Sequence, residues 1–154
     1  DKNEIKLYND MFKTLKTTLE TNPVDEEEYA TLISQMFVED FYNLSSKATN
    51  GDIGGLQFIH TNAKTNFILN AQDTIYKYIE SNIDGKRTQE LPTIATISVS
   101  GTYAKSFTYA GKTDAKAYEV KVNWTYEKDL GYPTSATIIL VHETATKLSI
   151  VELN

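Results

Sequence analysis

Cysteine is absent from the 154 residues, and with it go disulfides, thiolate zinc sites and cysteine nucleophiles. The compartment stays open, because a chain without thiols folds equally well in reducing or oxidising surroundings. Histidine is nearly absent too. His60 and His142 have no second histidine or cysteine at ligand spacing, and no nucleophile or orienting carboxylate lies near either in sequence. Each therefore reads as an ordinary hydrogen-bonded residue and not as a general base. No catalytic residue, metal site or cofactor is expected.

Positive charge is also short: 15 Lys and Arg stand against 21 Asp and Glu, a net charge of -6. Phosphate binding needs a concentrated basic face, and these lysines are scattered among carboxylates, so nucleic acid is excluded as a partner. The longest apolar run, residues 138–141, cannot cross a bilayer, and no basic start followed by an apolar leader is present. The chain begins at Asp1 without a methionine. The expectation is that an upstream segment was removed, so that membrane contact would come only through a missing N-terminal anchor.

What the chain does have is alternation. Over residues 115–126, Tyr118, Val120, Val122, Trp124 and Tyr126 share one parity, and Glu119, Lys121, Asn123 and Thr125 the other, as a half-buried strand requires. Residues 93–153 then read as a four-stranded antiparallel sheet. Its first strand carries Ala95, Ile97, Val99, Tyr103, Phe107 and Tyr109 on one face, with Gly101 as a natural bend or bulge.

Three helices precede the sheet. Residues 3–20 place Ile5, Tyr8, Phe12, Leu15 and Leu19 at spacings of three and four, a stripe that suits either packing on the domain or a stalk. Asp25 reads as an N-cap with Glu28 three residues on, opening a helix with an aromatic-rich stripe from Tyr29 to Phe41. A third long helix is expected over residues 63–82, closed at Gly85. Between them, residues 45–55 form a surface loop whose Gly54-Gly55 lacks the ending of a phosphate loop.

The fold class is therefore α+β: three N-terminal helices packed on the concave face of a strongly curved, cone-like, four-stranded antiparallel sheet. One domain spans residues 1–154, with 1–20 a possible stalk helix, 25–85 the helical half and 93–153 the sheet.

Two candidate sites follow. Trp124, Tyr118 and Tyr126 could converge on a ligand cavity faced by Asp73 or Asp40, the alternative being plain core packing. On the other face, Ile139, Val141, Val151 and Leu153 make an apolar corner that suits a protein contact or cover by a terminal segment.

Helices first, then a curved antiparallel sheet with a long strand bent at Gly101 and an aromatic face, resembles the nuclear transport factor two-like superfamily over residues 25–153. More narrowly, it looks like the soluble domains of bacterial conjugation and type IV secretion assembly proteins. That resemblance implies an extracytoplasmic, membrane-tethered, non-catalytic assembly domain with a protein partner or a second copy of itself. The richness in Asn, Lys, Thr, Ile and Tyr looks like a Gram-positive bacterium. The alternatives are a module binding a small ligand in the aromatic cavity, or a small isomerase or hydrolase with Asp73 as base.

Overall fold

The computed structural model describes residues 2–154. Three α-helices, α1 (Lys2–Glu20), α2 (Glu26–Tyr42) and α3 (Lys64–Asp73), precede four strands, β1 (Ile94–Tyr109), β2 (Lys112–Tyr126), β3 (Ser135–Thr144) and β4 (Lys147–Leu153). The strands form one antiparallel sheet in chain order, with the helices packed against it. An α+β fold with helices first is as expected.

Helix α2 is the centre. Asp25 caps it by accepting from the Glu28 backbone N–H (3.1 Å), and Glu26, Glu27 and Glu28 occupy the first turn, where the helix dipole favours negative charge. It packs against α1 on one side and β1 and β2 on the other. Ala30, Phe37 and Val38 are consequently sealed from solvent, together with most of the helix. Their partners across the core are Val120, Val122, Ile138, Leu140 and Ile150.

Four details depart from the pattern read in the sequence. Helix α1 turns Met11, Leu15 and Thr18 inward, and leaves Ile5, Phe12 and Leu19 at 62%, 53% and 41% exposure. The supposed stripe is therefore two adjacent lines, of which the domain covers one.

Helix α3 stops at Asp73 instead of running on to residue 82. Residues 74–79 are rich in β-branched and aromatic side chains, which are weak helix formers. Leaving the helix at Thr74 lets Tyr76 bury its ring completely. Its hydroxyl donates to the Phe41 carbonyl and accepts from the Gly54 N–H. Burial pushes the Tyr76 pKa upward, so the hydroxyl remains a donor.

Strand β1 changes parity. Register shifts at Ile94/Thr96, Val99/Gly101 and Lys105/Phe107 interrupt its pairing with β2, and each extra residue swaps the two faces. Past Gly101, Thr102 meets Thr31 of α2 (hydroxyl to hydroxyl, 2.6 Å), and Tyr103 is left half-exposed. The strand then returns into β2 through Ala110-Gly111, both at positive φ (50° and 77°), the backbone of a tight hairpin turn.

The loop at 45–55 is a surface loop only in part. Arg87 binds it by donating to the carbonyls of Lys47 (2.7 Å) and Ser45 (3.1 Å). Its second half passes beneath the end of α2. Asp40 accepts from the Gly55 N–H (2.7 Å) and pairs with the buried Lys47 ammonium (3.3 Å). The chain goes on to lie alongside β4, where Ile59 bridges Ile150 and the His60 N–H donates to the Ile150 carbonyl (2.8 Å).

Gly54 is where this packing tolerates least. A Cβ there would fall 2.0 Å from the Asp40 carbonyl oxygen and 2.7 Å from the Lys47 ammonium, whereas at Gly51 the nearest atom is 3.8 Å away. Gly54→Ala is expected to cost about 2–3 kcal/mol and lower the melting temperature by roughly 5–10 °C. Gly51→Ala should leave it within about 2 °C. Thermal unfolding followed by circular dichroism measures both.

Candidate functional site

Two cavities adjoin the sheet. The first, of about 730 Å³, lies between α3 and β4 and is closed at one end by the β2–β3 loop. Phe41 and Tyr42, at the end of α2, form its floor with Phe67, Ala71 and Ile150. They arrive there because the aromatic residues of α2 continue to its last position, where Tyr42 lies against Trp124 of β2. Phe41 stacks on Phe37 (centroids 5.1 Å apart) and lies 5.2 Å from Phe67. Asn66 and Asn70, one turn apart on α3, bring amides to the lining, and Asn154 brings another from beyond β4. Tyr78, Tyr109, Tyr132 and Glu152 add phenols and a carboxylate. An apolar floor with a few polar groups is the usual make-up of a small-molecule site.

None of the five sequence candidates lines this cavity. Trp124 is buried in the core behind it, with its ring 4.4 Å from that of Tyr42 and its Nε1–H donated to the Tyr126 hydroxyl (2.9 Å). Tyr126 in turn donates to the Pro133 carbonyl and so steadies the β2–β3 loop. Tyr118 is half-buried towards the start of α2, where burial and the nearby Glu26, Glu27 and Asp25 raise its pKa. Asp73 is exposed at the end of α3, and Asp40 is committed to Gly55 and Lys47.

The proposed contact corner is divided. Ile139 and Val141 are only 3% and 5% exposed, and Val151 and Leu153 help line the first cavity.

The second cavity, of about 620 Å³, is lined by several ionisable residues, among them Glu26, Asp114, His142 and Glu143. It meets the first at Tyr109, which lines both and lies edge-on to His60 with centroids 5.1 Å apart. His142 dominates it. Its Nδ1 pairs with Asp114 Oδ2 (2.8 Å), and its Nε2 contacts the Glu26 carboxylate. The His142 backbone N–H also donates to Asp114 (2.7 Å).

Burial alone would lower the His142 pKa, but the hydrogen bonds and charges of Asp114 and Glu26 outweigh it and raise the pKa above 6.5. For Asp114, burial raises the pKa, and hydrogen bonds from the N–H groups of His142 and Lys116, together with the His142 ring, carry it below the ordinary value. The result is an imidazolium held between two carboxylates. With both nitrogens occupied it has no lone pair to act as a base, and its effect is to tie the first turn of α2 to β2 and β3.

His60 is likewise engaged. Its Nδ1 accepts from the Asn62 N–H (3.1 Å), so its 3.6 Å approach to Glu143 is not a donated hydrogen bond. Glu143 accepts instead from the Thr61 N–H and hydroxyl (2.8 and 3.1 Å), which hold its pKa low against the raising effect of burial. Among the described residues no group of three or more His, Cys, Asp or Glu is arranged to hold a metal.

Sequence reasoning missed the His142 clamp because its partners lie 28 and 116 residues away. It missed the larger cavity because Tyr109, Tyr132 and Glu152 come from the end of β1, the β2–β3 loop and the end of β4. The available signal was the pair of aromatic residues, Phe41 and Tyr42, that ends α2.

Fold and cavities together define an α+β domain with helices on one antiparallel sheet and an aromatic-floored pocket at its edge. No protein-family model, curated protein or solved structure matches the chain at a significant level.

The clamp makes stability depend on pH. A histidine with a raised folded pKa contributes fully below its unfolded value of about 6.5 and loses the contribution as pH climbs through the folded value. Asp114, with a lowered pKa, contributes above about 3.8 and loses it as pH falls through the folded value. His142→Gln is therefore expected to cost about 1–2 kcal/mol between about pH 4 and 6.5. The difference from the parent should shrink as pH rises through the folded histidine value. Urea unfolding at a series of pH values checks this, and a constant difference up to pH 9 would contradict it.

Proposed function

We propose that this domain is a non-catalytic binding module that holds a small molecule with an apolar body in the cavity between α3 and β4. The observation that carries the reading is a space of about 730 Å³ floored by Phe41, Tyr42, Phe67 and Ile150 and rimmed by the amides of Asn66, Asn70 and Asn154. A pocket of that size falls within the range that small-molecule sites occupy. The non-catalytic part rests on the histidines and on Asp73. Both rings are engaged in hydrogen bonds, and Asp73 does not line the cavity it would serve as base. In this reading the register shifts of β1 are the bends of a strongly curved, cone-like sheet, in keeping with the resemblance to the nuclear transport factor two-like superfamily.

A neutral apolar dye tests it. Nile red should bind saturably to the native domain. Ala63→Phe, which fills the cavity from a half-buried position, should weaken binding about tenfold or more while leaving the melting temperature within a few degrees. Absence of saturable binding, or binding untouched by that substitution, would overturn the reading.

A second reading keeps the assembly role and its extracytoplasmic, membrane-tethered placement. It is favoured by the exposed Ile5, Phe12 and Leu19, which recur every seven residues on α1 and would be covered by the α1 of a second copy in a coiled-coil seam. Light scattering after size-exclusion chromatography should then find a dimer that Phe12→Glu converts to a monomer. A monomeric parent at high concentration would dispose of this reading.

A further inference from the structure

We propose that the cavity between α3 and β4 selects an organic cation, an amine or quaternary ammonium carried on an apolar body. The inference rests on the binding reading above and adds the charge of the ligand to it.

Three observations converge on that charge. Among the described residues lining the cavity, Glu152 supplies the one side-chain carboxylate, and no lysine, arginine or histidine is among them. Asn154 donates its side-chain amide to Glu152 Oε2 (3.2 Å), which restrains the carboxylate at the rim. An anion entering here would shed water and find no cation in exchange, a cost that the amides alone do not offset.

The rings point the same way. Tyr78, Tyr109 and Tyr132 all contribute to the lining, and an aromatic face carries the negative lobe of its quadrupole, which attracts ammonium groups. The Lys77 ammonium, which is not part of the lining, already stands 5.3 Å from the Tyr78 ring centre, so Tyr109 and Tyr132 are the rings left to a ligand cation. The last turn of α3 adds to the same field. Asn70, Ala71 and Thr74 line the cavity at the helix's C-terminal end, where the dipole is negative. The apolar floor gives such a ligand somewhere to place its hydrocarbon part, and Phe41 and Phe67 are the surfaces it would cover.

Selection by charge and capacity to bind are separable in one assay. Bound Nile red would be displaced by three probes of like size: benzylammonium, benzyl alcohol and benzoate. The cation is expected to displace the dye at about a fivefold or greater lower concentration than the alcohol, with benzoate the weakest. Glu152→Gln, with its own dye affinity measured first, should reduce the preference for the cation over the alcohol about two- to fivefold. Because Glu152 is exposed, this variant should fold as the parent does, which circular dichroism checks.

If the alcohol or benzoate displaces the dye as well as the cation does, the charge inference falls and the binding reading stands. If the same preference persists in Glu152→Gln, the role given to that carboxylate falls. If the folded parent binds neither dye nor any probe, both readings fall together.

Discussion

The rest of the structure depends on the nearly complete burial of α2. A helix held between α1 and a sheet loses water along most of its length, and the polar groups it buries must find partners within the protein. Asp25 meets its first turn, Glu26 meets His142, and Asp40 meets Gly55 and Lys47. Each of these bonds also fixes a distant piece of chain. Glu26 draws in β2 and β3 through Asp114, and Asp40 draws in the loop that later reaches the edge of β4. Satisfying one helix thus arranges most of the irregular backbone.

The two cavities are consequences of where that helix ends. Phe41 and Tyr42 carry the aromatic face of α2 to its last residue, and α3 stops at Asp73 as Tyr76 turns into the core. The space left over is apolar on its floor and carries amides, phenols and one side-chain carboxylate elsewhere. At the opposite end of α2, the second cavity is organised around an imidazolium whose charge two carboxylates balance. One end of the helix thus adjoins an oily pocket and the other an electrostatic clamp, with Tyr109 and His60 meeting where the two spaces adjoin.

What the sequence by itself determined was local. The Asp25 cap, the bulge beside Gly101 and the four strands in chain order were legible, because each depends on residues within a few positions of one another, whereas Gly85, expected to close the third helix, lies beyond a helix that ends at Asp73. Tertiary structure alone decided which faces count. Tyr103 lies outside because extra residues in β1 swap its parity, and Phe12 lies outside because α1 packs through Met11 and Leu15. Trp124 lies behind the cavity because Tyr42 takes the place in front of it. Burial and charge pairing are properties of surfaces that meet, and the groups meeting at His142 and around Glu152 are brought together by the sheet from positions far apart along the chain.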